Sequence, residues 1–425
     1  MMKKIIDTLR RLCVGLFLVG SFSSLVFGDT GNIKINPYIT IQEEYNDNIN
    51  LTSKAQKSDY ISSIYPGIKF SSKDSRYGID LDYKLGLVAY ASGPENNYLS
   101  HTGKFDTYYK FNPRWTLRLK EDFRRSEDTQ EVDPLTSSIE NQSYYSTNQG
   151  RAVFLRNTLE PSLEYQFGKE DRASLTYRNN IFRTQNQLSE DSQENAVKAN
   201  LTYWLNIKNG ILLDYSFSKG FFERSSDLSS HLSRFRYTYR FNPTTSFYGD
   251  YSFQKFDFES PGMDYTLHNP SVGFDHAFTS TLSGSAQAGY FWKNATNGTT
   301  NGYTYQVGLV GRELKTTYTL SLQGGYTQDY FTAENLGFTR YNRAFGKITY
   351  KLRERIVLNF TGMLERAEFD PNRTDWIWGI TGSSSYQILK WLALSLEASH
   401  RENNSNVDLN SYGENRAIVK ITATY

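Results

Sequence analysis

The sequence predicts an all-β protein: a transmembrane antiparallel up-and-down β-barrel of about 20 strands, with both termini on the periplasmic side. Three observations carry this. Long segments alternate apolar and polar residues with period two, the chain opens with an export signal, and aromatic pairs recur at segment ends just before very short turns. Composition agrees. Aromatic residues make up 15% of the 425, which suits a pleated surface, while hydrophobic residues at 38% are too few for a polytopic helical membrane protein. The formal net charge of +2 gives no general field for nucleic acid, so none is expected as a partner.

The N-terminus reads as a cleaved signal peptide. Lys3, Lys4, Arg10 and Arg11 form a positive start, and "VGLFLVGSFSSLVF" from Val14 to Phe27 is a short apolar run. That run is shorter than the roughly 20 residues a helical span needs. Cleavage after Gly28 gives a signal over residues 1–28 and a single barrel domain over 29–425. The one cysteine, Cys13, lies inside the signal, so no disulfide, thiolate metal site or cysteine nucleophile is expected beyond it.

After the signal the period is two. In "WTLRLKEDF", Trp115, Leu117, Leu119 and Phe123 share one face, and Arg118, Lys120 and Asp122 share the other. In "YGIDLDYKLGL", Tyr77 through Leu87 alternate in the same way. The segments run about ten to fifteen residues, the length a tilted membrane-crossing strand requires.

Aromatic ends punctuate them: "YKFNPRW" from Tyr109, "YQFGKED" from Tyr165, "YWLNIKNG" from Tyr203, "YRFNPTT" from Tyr239, "YKLRER" from Tyr350 and "YQILKW" from Tyr386. Tyr and Trp favour the boundary of lipid and headgroup, so these ends form one interfacial girdle beside tight periplasmic turns. Nine such turns alternate with ten longer polar connections, among them "NDNINLTSKAQKS", "QLSEDSQ", "TNGTTN" and "FTAENLG". They divide the chain into 20 strands, with 18 as the alternative count. The longest connection, Thr129 to Arg151, either folds inward to narrow the lumen or stands outward as a surface loop.

The last segment, "AIVKITATY", puts Ala417, Val419, Ile421, Ala423 and Tyr425 on one face. It resembles the assembly signal of bacterial outer-membrane barrels, though phenylalanine is the commoner last residue there. The resemblance implies outer-membrane lipid and the outer-membrane assembly machinery as partners.

"NPYITIQEEYNDNINL" from Asn36 to Leu51, followed by "DYISSIYPGIKF" from Asp59 to Phe70, resembles the opening of the outer-membrane β-barrel porins found with exopolysaccharide export systems. The likeness rests on about forty residues of pattern and on whole-chain architecture. It implies the outer membrane of a Gram-negative cell and a porin-like passage for exopolysaccharide or associated solutes. Polysaccharide and export-system proteins would be partners. It supplies no catalytic or binding residues. The rival expectation is a non-conducting structural or adhesive surface barrel.

No enzymatic constellation is present in the sequence. The histidines, His101, His231, His268, His276 and His400, fall on different hairpins without metal-ligand spacing, so no catalytic residue, metal or other cofactor is expected. The lumen carries what remains informative. With the apolar face toward lipid, Arg118, Lys120 and Arg124, then Arg234, Arg236 and Arg240, then Arg343, Lys347 and Lys351 point inward from three separate strands. They are either rungs of ion-pair ladders or a cationic wall that selects acidic solutes. Tyr90, Tyr108, Phe182, Trp204, Tyr341 and Phe345 are the expected inward aromatics.

Overall fold

The computed structural model describes residues 33–127, 130–131, 146–147, 152–187, 189–260, 262–331, 335–369 and 372–425. Twenty antiparallel strands form one closed ring. The first ten are β1 Ile33–Asn46, β2 Asp59–Lys73, β3 Tyr77–Tyr90, β4 Tyr98–Lys110, β5 Trp115–Ser126, β6 Phe154–Gln166, β7 Arg172–Thr184, β8 Ser192–Trp204, β9 Asn209–Phe222 and β10 Leu228–Asn242. The second ten are β11 Thr245–Phe258, β12 Tyr265–Ala277, β13 Leu282–Ala295, β14 Gly298–Arg312, β15 Thr316–Asp329, β16 Gly337–Arg353, β17 Ile356–Phe369, β18 Arg373–Leu389, β19 Leu392–Ser405 and β20 Tyr412–Thr424. Each pairs with its sequence neighbours, and β20 returns to β1 from Tyr38↔Thr424 to Asn46↔Arg416. Closure is what lets a sheet cross lipid, because no edge strand keeps unpaired backbone groups.

The turns at the end where β1 begins and β20 finishes explain the repeated Asn-Pro. Asn112 Oδ1 accepts hydrogen bonds from the backbone N–H of Arg114 and Trp115 at 2.8 and 3.0 Å. Asn206 does the same for Lys208 and Asn209, and Asn242 for Thr244. The asparagine side chain thus replaces a backbone rung, while Pro113 and Pro243 preset φ and need no N–H. Beside these turns the aromatic ends pack sideways. Trp115 stacks on Tyr165 at 4.5 Å, Tyr165 on Phe167 at 5.9 Å, and Phe167 on Tyr203 at 6.2 Å.

A second outward belt lies nearer the other rim. Tyr83 Oη is 2.8 Å from His101 Nδ1, Tyr215 Oη 2.9 Å from His231 Nδ1, and Tyr251 Oη 2.8 Å from His268 Nδ1. His231 and Tyr239, one in each belt on β10, are eight residues apart. At about 3.3 Å per residue and a tilt of about 40°, that spacing gives roughly 20 Å between belts, close to the apolar band of outer-membrane barrels.

Two connections differ from the sequence expectation. "TNGTTN" is not a loop: β13 and β14 are joined by Thr296 and Asn297 alone, and the ladder resumes at Ala295↔Gly298. Gly298 sits at φ +141, so the Asn-Gly pair makes a tight hairpin. "FTAENLG" was expected as one more polar surface connection, and its described residues instead turn into the barrel. The ladder between β14 and β15 stops at Tyr305↔Gly324, and Gly325, at φ +150, redirects β15 beyond it. Tyr326 then packs against Phe291 and Phe338 at 4.9 and 5.9 Å. The expected signal, residues 1–28, lies outside the described residues, as does most of the insertion between β5 and β6. Of the insertion, Gln130–Glu131 pairs with Ser146–Thr147 in a two-stranded ribbon separate from the barrel.

Candidate functional site: the lumen and its mouth

The register carries the nine basic residues to the face opposite the outward apolar row, on β5, β10 and β16. These strands are well separated around the ring, so the three rows face one another across the lumen instead of forming a single cluster. Arg118 Nε lies 3.1 Å from Asp106 Oδ1, and Arg124 sits 5.6 Å from the ring of Phe154. Arg234 and Arg236 converge on one carboxylate: Asp250 Oδ2 is 2.6 Å from Arg234 Nη2 and 2.7 Å from Arg236 Nε. Arg240 pairs with Glu170, in the turn after β6, and lies 3.4 Å over the ring of Trp204. That hydrogen bond, foremost, holds the Glu170 carboxyl below its ordinary range. Arg343 Nε is 2.6 Å from Glu365 Oε2, and each of these side chains is only 8% exposed.

Lys120, Lys347 and Lys351 differ. All three are exposed, and among the described residues none has a carboxylate within 4.0 Å. The other lumen charges interleave. Lys73 meets Asp80 at 3.1 Å, Lys69 meets Asp82 at 3.8 Å, Lys104 meets Asp122 at 3.6 Å, and Arg178 lies between Glu160 and Glu194. On the wall of β2 to β6, Lys69, Asp80, Asp82, Lys104, Asp122 and Glu160 line a recess of about 510 Å³. The inward aromatics serve as packing. Phe182 is fully buried against Phe154, Tyr90 joins Ile49, Ile61 and Val88, and Phe345 joins Met363 and Ile377. Among the described residues no group of three or more His, Cys, Asp and Glu is arranged to hold a metal ion.

The mouth is the part that sequence reasoning missed. After β15, Phe331 reaches the far wall, where its carbonyl accepts a hydrogen bond from Arg156 Nη1 on β6 at 2.9 Å. β6 and β15 are nine strands apart in a ring of 20, so this contact spans the opening. The Phe331 ring stacks on Phe222 at 5.4 Å, and Tyr330 Oη is 2.6 Å from Tyr265 Oη. Asn335 Nδ2 donates to Glu190 Oε1 at 2.9 Å, in the connection between β7 and β8. One signal in the sequence pointed here. Tyr330, Phe331 and Leu336 are apolar residues in a connection outside the lipid band, and such residues must be covered by something.

Glu190 is the acidic member of this latch. Burial opposes its ionisation. Hydrogen bonds from the Ser225 hydroxyl and N–H, from Asn335 and from the Arg224 N–H outweigh that and hold the carboxyl below its usual range. A carboxyl lowered in the docked state stabilises docking fully above its ordinary pKa, and that contribution is lost as pH falls through the lowered value. Single-channel conductance is therefore expected to stay flat from neutral pH to about pH 5 and to rise below about pH 4, the ordinary glutamate range. In Glu190→Gln the acid step should vanish, and its persistence there would assign the step to another group.

Among known proteins, the family described as "Putative beta-barrel porin 2" matches residues 223–425. The siderophore receptor PirA from Pseudomonas aeruginosa is similar in structure at TM-score 0.53 and 9% identity, over 92% of this chain and 80% of that one. A mutant of the ferric enterobactin receptor PfeA from Pseudomonas aeruginosa, in complex with enterobactin, is similar at TM-score 0.53 and 8% identity, over 92% and 81%. Identities this low speak to the fold alone. No curated protein sequence matches the chain. The protein is a porin-like β-barrel of the bacterial outer membrane, and the matched family is one of porins, not of enzymes.

Proposed function

We propose that this porin-like outer-membrane barrel is a passage for exopolysaccharide or associated solutes, working within an exopolysaccharide biosynthesis or export system. The observation that supports the reading is the lumen wall. Its charges alternate along the lumen face, and the lysines without a carboxylate partner among the described residues, Lys120, Lys347 and Lys351, are spread over two distant strands. A low-dielectric wall focuses their field on whatever passes. Planar-bilayer conductance with and without purified exopolysaccharide tests it. Polymer-dependent block of an ohmic current supports passage. A flat trace from a verified folded barrel supports the rival, a non-conducting structural or adhesive platform, which the bridged mouth also favours.

Selectivity separates ladder from wall. Arg234→Gln, Arg236→Gln and Arg240→Gln together leave Asp250 and Glu170 without their partners, so the reversal potential in a salt gradient should move toward cation preference. Lys347→Gln with Lys351→Gln should move it the same way without breaking any ion pair. Both shifts should shrink at high salt, where the Debye length falls to about 3 Å. If neither variant moves the reversal potential, the nine basic residues are wall structure and the charge-selection part of the reading fails.

The proposal also includes insertion by the outer-membrane assembly machinery. Val419, Ile421 and Ala423 face outward opposite Glu43, Ile41 and Ile39, and the Tyr425 N–H donates to Pro37 O at 2.9 Å. Ile421→Asp with Tyr425→Asp should deplete the heat-modifiable folded form from outer-membrane fractions. Wild-type levels of that form in the double variant would remove these residues from any assembly signal.

A further inference from the structure

The outward face carries a furrow that crosses the apolar band. One register row leads from Trp115 and Tyr165, in the girdle beside the tight turns, through Ala173 and Leu213 to Tyr251 in the second belt. It climbs because the strands tilt, and its six strand intervals of about 4.8 Å make it roughly 29 Å long. In the neighbouring row Ala199 sits between Leu175 and Tyr215, and Ser233 between Tyr215 and Phe253. The small side chains of Ala173, Ala199 and Ser233 leave a furrow of about 750 Å³ between their larger neighbours.

At the upper end of the furrow the apolar surface gives way to charge. One row beyond Phe253, His231 stands opposite Lys255, and Lys219 on β9 lies one row further. Tyr215 Oη occupies His231 Nδ1 at 2.9 Å, so Nε2 is the nitrogen left for a ligand. Lys219 has no carboxylate within 4.0 Å among the described residues, and its ammonium lies 5.3 Å from the Phe221 ring. Lys255 meets Asp257 at 2.8 Å. Two ammonium groups against that one carboxylate leave the cluster positive.

An apolar furrow by itself does not choose a lipid, since tails gain about as much from any apolar surface. The charges choose. A headgroup with its own ammonium would bring a like charge against Lys219 and Lys255, whereas an anionic phosphate meets them with charge-assisted hydrogen bonds. We propose that the furrow and the basic cluster hold one anionic lipid with an exposed phosphate, an acyl chain along the furrow and the phosphate on Lys219, Lys255 and His231. With both termini on the periplasmic side, this rim lies in the outer leaflet. The site goes beyond the passage reading and does not depend on it.

Native mass spectrometry of the full barrel, folded in detergent, tests this with phosphatidate, phosphatidylcholine of the same chains, and inorganic phosphate as probes. One phosphatidate should be retained per barrel, about tenfold more tightly than phosphatidylcholine, a factor equivalent to about 1.4 kcal/mol. Lys219→Gln with Lys255→Gln should bring phosphatidate down to the phosphatidylcholine level. Ala199→Phe, at an exposed position, fills the furrow floor and should weaken both lipids. Ala288→Phe, exposed on the same outward face but on β13, away from the furrow, should weaken neither. Inorganic phosphate in tenfold excess should leave the lipid bound. Equal retention of the two lipids, retention unchanged by the lysine pair, equal losses in the two phenylalanine variants, or displacement by inorganic phosphate overturns the proposal. Heat-modifiable migration verifies that each variant is folded. Polymer block of the current scores the passage reading separately, so either can fail without the other.

Discussion

Phe331→Ala combined with Asn335→Ala is expected to raise single-channel conductance by about twofold or more, because a ring of this size otherwise encloses an aqueous channel. The first change removes the stacking on Phe222, and the second removes the hydrogen bond to Glu190. Neither residue lies in a strand, so the ladder that closes the barrel is untouched. A reversible version follows from the cysteine content. Cys13 is the only cysteine and sits in the expected signal, so an added pair meets no competing thiol in the folded barrel. Asn335 Nδ2 is 3.4 Å from Ser225 Oγ, so Asn335→Cys and Ser225→Cys put two thiols on side chains that face each other, and oxidation tests whether they cross-link. Oxidised, this variant should conduct as wild type does. Reduced, it should conduct more, having lost the amide that bonds Glu190. If both the alanine variant and the reduced variant keep wild-type conductance in folded barrels, the bridge across the mouth is not what limits current.

Glu365→Ala should lower the unfolding free energy by about 3–5 kcal/mol, the cost of breaking a buried ion pair by removing one member. Its partner, Arg343, is held at 2.6 Å with both side chains only 8% exposed, and Tyr341 lies 4.8 Å from the guanidinium. Removing both charges is the informative contrast. Arg343→Met with Glu365→Leu keeps similar volume and leaves no charge stranded, so it should be near neutral or more stable than wild type. Urea unfolding in lipid vesicles checks both variants. If the single and double variants lose the same amount, the pair acts through packing and not through charge. Arg118 with Asp106 gives the comparison on the exposed side. Both are more than 40% exposed, and breaking this pair should cost no more than about 1 kcal/mol.

Much of the barrel was legible because lipid imposes a severe rule. Every strand must show one apolar face, so period two survives along Trp115–Ser126 and Tyr77–Tyr90, and the aromatic ends mark where lipid stops. The tight turns were legible for a related reason, since Asn-Pro and Gly-rich pairs have few other uses. The lumen was legible only as a list of residues. Alternation shows that Arg234, Arg236 and Arg240 point inward, but not that two of them share Asp250 while the third reaches back to Glu170. Those partners depend on register between strands, which period two does not encode beyond parity. "FTAENLG" was misread because its length and polarity match the surface connections around it. Beyond its apolar Tyr330, Phe331 and Leu336, what distinguishes it is Gly325 at positive φ and the ring cluster on β9 to β12 that receives it, and both of these are properties of the folded ring.

The seam between β1 and β20 imposes an order in time. It joins residues 38–46 to residues 416–424, whereas every other joint in the ring links segments adjacent along the chain. Hairpins can zip one after another within microseconds, but this last joint must wait for the remote ends to meet. Until then the growing sheet carries two bare margins, each a template for a neighbouring molecule. The slow phase of refolding should therefore be closure, sensitive to dilution and to changes at Ile41 or Ile421, and indifferent to changes in the mid-chain hairpins.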